Sequence, residues 1–280
     1  MIKSLRNLYG SYLYKVAICC IAKNEDEYLP EWIDYHIKIG VSHFYIYDND
    51  SAVPITTTLS SYIKDGIVQV EHITGYGQQM PVHDHCLANY GFECQWIAFI
   101  DVDEFIVPKT LTANLPQFLA DYEKYGGLAV HWLVFGSNGN LEKPKTSQIE
   151  TYTKRSLKTE PVNGHIKSIV QPRYVKRVPG DPHHFKYKLG RYCVNENFQR
   201  IRGPIAKHTS NKIQLNHYFL RSLEEFKLKI ARGRADKGVD RKLDEFYDLD
   251  KRANQVSDES AIELELIMTE IAGVKPDKLN

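Results

Sequence analysis

Asp101-Val102-Asp103 puts two carboxylates one residue apart at the end of the apolar run Trp96 to Ile100. A strand end sends such alternate side chains toward one face, spaced to share a hard divalent cation whose shell is completed by water and phosphate oxygens. Carboxylate pairs of this kind suit Mg2+ or Mn2+. The tripeptide alone fits a solvated acidic turn equally well, but here an Ile-Ala-Phe-Ile run precedes it and Glu104, Phe105 and Ile106 follow. Two other apolar runs also end in acid: Val16 to Ala22 at Lys23-Asn24-Glu25, and Phe44 to Tyr47 at Asp48-Asn49-Asp50.

The elements that carry these ends are readable from periodicity. Short continuous apolar runs are the mark of strands buried on both faces, as in a parallel sheet covered by helices. Ligands of such sheets bind beyond the carboxyl ends of the strands, so three distant segments deliver carboxylates to one rim. Leu29, Trp32, Ile33, His36 and Ile37 recur at helical spacing, with Pro30 in the first turn and Gly40 just past the end. Further helices are expected over Thr56 to Lys64 and Gln79 to Phe92, and a strand over Ile67 to His72. The alternation places the chain in the α/β class. Beyond the strand Leu128 to Phe135, residues 136–212 are rich in Gly, Pro, Asn, His and basic residues, with short strands at Ile166 to Val170 and Arg173 to Val178. This stretch is read as the other wall of a cleft. Helical spacing returns from Ser222 through Phe226, Ile230 and Phe246 to Ile262–Ile271.

Six ordered motifs resemble the GT-A glycosyltransferases of the family 92 and family 2-like group. They are Ile21-Ala22-Lys23-Asn24-Glu25, Tyr45 to Ser51, His83-Asp84-His85-Cys86, Trp96 to Phe105, Phe135 to Gly139, and Asn216-His217-Tyr218 with Arg221, Ser222, Glu225, Phe226 and Lys229. The resemblance covers roughly residues 15 to 235. It implies a Rossmann-like nucleotide-sugar-binding fold: a mostly parallel central sheet flanked by helices, with C-terminal helices after it. It divides the chain into a GT-A domain, 1–235, and a helical extension, 236–280; the nucleotide-binding half is about 15–107 and the acceptor-side half about 108–220.

The resemblance further implies a Mn2+ or Mg2+ ion and a UDP-sugar donor. Asp103 would hold the ion, Asp101 would face the ribose or a metal-bound water, and His217, after the strand Ile213-Gln214-Leu215, would be a third protein ligand. Imidazole with carboxylate favours Mn2+. Ala22, Lys23, Glu25, Asp48, Asp84, Asp101, Val102, Lys229 and Arg232 would contact the nucleotide sugar. Asp48 also fits a turn-forming acid and Glu25 a first-turn acid that complements a helix dipole. His83 and His85 point opposite ways on a helix and do not make a zinc site. An inverting reaction needs a general base, for which Glu142 is the first choice and Asp181 the second, with His165 and Glu196 as alternatives. His183 and His184 fit a gate over the donor or an ordinary polar loop. The expected activity is metal-dependent transfer from a UDP-sugar, UDP-galactose first, to a glycan acceptor such as lipopolysaccharide or capsule. The alternatives are a metal-dependent nucleotide-sugar hydrolase or phosphodiesterase, and a non-catalytic glycan-binding module.

Composition narrows the partners. Of 280 residues, 36 are Lys or Arg and 35 Asp or Glu, a net charge of +1, so no general attraction draws nucleic acid to the surface. No apolar run approaches the ~20 residues that span a bilayer. Cys19, Cys20, Cys86, Cys94 and Cys193 contain no CxxC pair and are read as buried reduced thiols. Met1 to Tyr14 lacks the apolar core and cleavage site of a secretory signal, so a cytoplasmic protein is expected. Lys3, Leu5, Arg6, Leu8, Tyr9, Tyr12, Leu13 and Lys15 suit either a short basic-aromatic helix on a membrane surface or a plain docking helix.

Overall fold

The computed structural model describes residues 12–109, 114–236 and 240–271. Most of the proposed N-terminal helix lies outside the described residues. The acid-ended apolar runs form β1 (Tyr14–Ala22), β2 (His43–Asp48) and β4 (Cys94–Phe99), and Val68–His72 forms β3. All four run parallel, side by side in the order β3-β2-β1-β4. Ala22 lies opposite Asp48, and Cys19 opposite Phe99, so the acid-bearing ends emerge on one rim as expected.

Alternation along β1 explains why both of its faces are apolar. Val16, Ile18 and Cys20 pack in the cluster that contains Leu29, Trp32 and Ile33 of α1 (Leu29–Lys38), while Ala17, Cys19 and Ile21 pack with Val82 and Cys86 of α2 (Gln79–Tyr90). The sheet is thus covered by helices on both sides. All five cysteines are buried free thiols, in agreement with the sequence.

The second half is less regular. β5 (Glu104–Pro108) follows the Asp-x-Asp turn, β6 is Gly127–Val134, β7 is Ile166–Val170 and β8 is Ile213–His217. β7 lies antiparallel between β4 and β6, and β8 pairs antiparallel with β5 and parallel with β6. The sheet is therefore mixed in this half and parallel in the first half. Three helices close the chain: α3 (Leu223–Arg232), α4 (Leu243–Ala253) and α5 (Ser260–Ile271). Phe246, Leu249 and Ala253 of α4 share a core cluster with Phe226 of α3 and Val134 of β6, so the C-terminal segment is packed into the domain.

The core stores a pH dependence. His36, fully buried, has Nδ1 2.7 Å from Trp32 O and Nε2 3.3 Å from the N–H of Ile106. Only the neutral ring donates at one nitrogen and accepts at the other. Burial pushes His36 and His83 each down to about 3. Unfolded histidine takes up its proton near pH 6.5, whereas these two stay neutral in the fold. Their stabilisation is therefore present above about pH 6.5 and lost as pH falls toward 3. By pH 4.5 each should have cost about 2.7 kcal/mol, at roughly 1.36 kcal/mol per pH unit. Urea midpoints at pH 7 and 4.5 check this; equal stability at the two would contradict it.

Candidate active site

The pairing of β8 with β5 explains how residues more than a hundred positions apart meet. His217 sits opposite Glu104 in that register, and Tyr218 N donates to Asp103 O at 2.8 Å. The His217 ring is thereby held beside the Asp-x-Asp turn, with Nε2 3.6 Å from Asp103 Oδ1. Helix α3 supplies the other flank. Ser222 and Glu225 form a reciprocal capping box at its start, and Tyr28 and Tyr152 hydroxyls also donate to Glu225. That anchoring brings Lys229 Nζ to 2.6 Å from Asp103 Oδ2 and 2.7 Å from Phe219 O.

These side chains line a cavity of about 530 Å³ at the rim of the parallel strands. Its wall includes Ala22, Lys23, Glu25, Asp101, Val102, Asp103, His217, Lys229 and Arg232, nine of the residues named from sequence. Burial raises the Asp103 carboxyl, but Lys229 and His217 outweigh it and hold it well below the usual carboxylate range. Burial also brings Lys229 down to about 8 and lowers His217, Asp103 opposing both shifts. Asp103 is thus a buried anion with one oxygen on Lys229 and the other facing an imidazole.

Asp101 does not join that pair. Its Oδ2 lies 2.7 Å from Lys167 Nζ and its Oδ1 accepts from Gln79 Nε2 at 2.9 Å. Lys167 is buried and also lies 3.5 Å from Glu104 Oε2, while Trp132 Nε1 donates to Glu104 Oε1 at 2.6 Å. Burial lowers Lys167, and Asp101 and Glu104 more than compensate, so it stays charged. Burial pushes Glu104 up to about 8, against the pull of Lys167. Asp101 is therefore a clamped residue of the cavity floor, and Asp103 with His217 is the pair whose geometry suits a cation. Two ligands at about 2.1 Å from one ion in neighbouring positions stand roughly 3 Å apart, close to the separation seen here. Among the described residues no third carboxylate, imidazole or thiol joins them, so the rest of a shell would come from substrate oxygens and water.

Other assignments need correction. Both oxygens of Glu25 are taken, by Arg221 Nη1 at 2.8 Å and Arg232 Nη1 at 2.5 Å; Arg232 also donates to Lys23 O at 2.9 Å. Glu25 and Arg232 clasp α3 to the end of β1, so Glu25 is held first of all as an ion-pair partner of two arginines in the cavity wall. Asp48 is buried but caps its own loop, accepting from Ser51 N at 2.9 Å and Ile55 N at 3.1 Å, and it does not line the cavity. Its neighbours Asn49 and Asp50 line it instead, with Asp50 in the left-handed region at φ 58°. Asp84 is exposed on α2 and outside the cavity wall, and His85 is exposed with Nδ1 2.8 Å from the Tyr47 hydroxyl. Glu142 is exposed and lies off the cavity. Asp181 is likewise absent from the wall; its carboxylate caps His183 N at 2.8 Å and meets His184 Nδ1 at 2.8 Å. Glu196 is buried and accepts from the N–H groups of Asn211, Lys212 and Ile213.

Two residues read from the sequence only as alternatives, His165 and His183, and others it did not single out complete the wall. His165 and His183 line it with Trp132, whose ring stacks on His165 at 5.0 Å and meets His183 edge-on at 5.1 Å. In each imidazole Nδ1 is turned to a backbone carbonyl, Val162 O at 2.9 Å for His165 and Ile166 O at 3.0 Å for His183. Donation there fixes the tautomer and leaves Nε2 as the basic nitrogen. Arg241 also lines the cavity, with a buried Nε that has no hydrogen-bond partner. Of Trp132, Lys167 and Arg241, wall residues not singled out from the sequence, Lys167 alone carries a signal there, a charge inside an otherwise apolar strand.

The match to known proteins is consistent with this geometry. The family model described as Glycosyltransferase family 92 matches residues 14–254. The chain belongs to glycosyltransferase family 92. A family 92 protein of Ricinus communis is 30% identical over 240 residues, which cover 83% of this chain and 40% of that protein. A galactan beta-1,4-galactosyltransferase of Arabidopsis thaliana is 30% identical over 208 residues, 68% of this chain and 36% of its own. This family 92 chain thus spans well under half the length of these relatives. The crystal structure of S. aureus TarS in complex with UDP is 15% identical with a TM-score of 0.37, over 56% of this chain and 47% of that one.

Proposed function

We propose that this chain is a glycosyltransferase that moves a sugar from a UDP-sugar to a hydroxyl of a glycan acceptor. The observation that carries the reading is the 3.6 Å approach of His217 Nε2 to Asp103 Oδ1 at the rim where β1, β2 and β4 end. Nucleotides bind at such rims in α/β sheets, and Ile21 of β1, Asp50 just past β2 and Tyr76 just past β3 all line the cavity. Asp103 and His217 would hold a Mn2+ or Mg2+ ion. When bound, the ion supplies Lewis-acid neutralisation of the diphosphate. Lys23 and the unpartnered Nε of Arg241 are donors suited to the same anion. UDP-galactose is the first donor to test, in keeping with the galactosyltransferase relative, and a cell-surface glycan the first acceptor. Five unpaired buried thiols suit a reducing compartment such as the cytosol.

Inverting transfer requires that the acceptor oxygen bond to the anomeric carbon as the bond to the diphosphate breaks, with the hydroxyl proton going to a base. We assign that proton to Nε2 of His165 or His183, in place of Glu142 and Asp181. Replacing each by Gln separates them: one variant should lose about 10²–10⁴-fold in transfer rate while its UDP affinity stays unchanged. Full activity in both variants would end the imidazole assignment. Release of free sugar at the same rate with and without acceptor would favour a hydrolase instead.

A further inference from the structure

A second concavity, of about 660 Å³, lies behind the segment that carries His183. Pro182 and His183 face the first cavity, whereas His184 and Phe185 face the second; in β7 Lys167 faces the first and Ile166 the second. The same short stretches of backbone therefore wall both spaces. One side of the groove is the antiparallel ribbon Val175–Arg177 with Lys186–Tyr187, and the other is the sheet-edge pair Cys193–Val194 with Arg200–Ile201.

The charge in this groove is one-sided. Lys176, Arg177, Lys186, Arg191, Arg200 and Arg202 line it, and no carboxylate does. Among the described residues none of the six makes an ion pair with an acid. Arg191 donates to Lys124 O at 2.7 Å and lies over the Tyr174 ring at 3.9 Å, and Arg200 lies over Tyr192 at 4.9 Å. Such stacking fixes the guanidinium plane, and the nitrogens it leaves unbonded can still donate to an anion. In a chain whose net charge is only +1, six uncompensated cations in one concave space focus a local positive field.

We propose that this groove binds the acidic part of the acceptor, a glycan chain bearing carboxylate or phosphate groups, and leads it past His183 to the transfer site. The proposal rests on the sugar-transfer reading for the word acceptor; the anion site rests on the groove alone. A membrane surface would meet a flat or convex basic face, whereas these cations stand around a concavity walled by two strand pairs, with Tyr187 and Tyr192 also in its lining.

The test is a titration of the chain with a fluorescent oligogalacturonate, without UDP or metal, beside a neutral galactan oligomer, a single-stranded oligonucleotide and phosphatidylglycerol vesicles. The oligogalacturonate should bind, weaken at least tenfold between 50 and 200 mM salt, and weaken at least tenfold in the triple variant Arg177→Gln, Arg200→Gln, Arg202→Gln. These three side chains are exposed, so the variant should melt like the parent and bind UDP equally well. Equal binding of the neutral oligomer or the oligonucleotide, binding to vesicles alone, or an unaffected triple variant would overturn the proposal. A separate UDP titration of the parent distinguishes failure of the groove from failure of the sugar-transfer reading.

Discussion

Replacing Asp103 by Ala should lower transfer by about 10²–10³-fold or more, the scale seen when one preorganised electrostatic group is removed from an active site. The change removes the carboxylate that faces His217 at 3.6 Å and pairs with Lys229 at 2.6 Å. Lys229 then remains buried with only the Phe219 carbonyl as a hydrogen-bond partner, so the fold should also lose about 3 kcal/mol. Asp103→Asn separates the two effects, because it keeps the shape and a hydrogen-bond acceptor for Lys229. Turnover of UDP-galactose with acceptor and a thermal melt should show Asn near the parent in stability and near Ala in activity. An Ala variant with parental turnover would remove Asp103 from the chemistry.

Lys167→Met should have the largest effect on stability. The lysine is 2% exposed and bridges Asp101 at 2.7 Å and Glu104 at 3.5 Å. Breaking a buried pair leaves uncompensated charge and costs about 3–5 kcal/mol, more than the aliphatic stem regains. Glu104, which burial already pushes up to about 8, would lose the cation that draws it back and stay protonated across neutral pH. Adding Glu104→Gln to Lys167→Met should therefore recover part of the loss, a non-additivity of about 1–2 kcal/mol in denaturant unfolding. Additive losses would show that the two side chains are not coupled. Activity should fall in the single variant as well, because Asp101 loses the partner that holds it on the cavity floor.

Periodicity and composition revealed the frame well because it depends on local pattern. The runs ending at Lys23, Asp48 and Asp101 are buried on both faces, as strands of a helix-covered parallel sheet are. Asp103 was singled out by the Asp-x-Asp at a strand end and His217 by the family resemblance, and the fold brings the two side chains side by side. Which carboxylate at a strand end faces the cavity was not legible. Asp48 and Asp50 differ by two positions, and a left-handed residue at Asp50 sends the chain round so that Asp48 caps the loop while Asp50 lines the cavity. Glu25 looked free because its partners, Arg221 and Arg232, lie 196 and 207 residues away in sequence. Glu142 and Asp181 were chosen from a stretch with little regular structure, where periodicity gives no direction to a side chain. The His183 imidazole is fixed by the Ile166 carbonyl, 17 residues away, which the fold brings near, and that of His165 by the Val162 carbonyl of its own turn.

Calorimetric titration of the parent chain with UDP, in Mn2+ and in EDTA, bears most directly on the claim that the cavity at Asp103 and His217 is a nucleotide-sugar site. Binding that is at least tenfold tighter in Mn2+, and that loses this gain in Asp103→Ala, is the expected result. UDP binding that is absent in both buffers, or that is the same in the parent and Asp103→Ala, would contradict it.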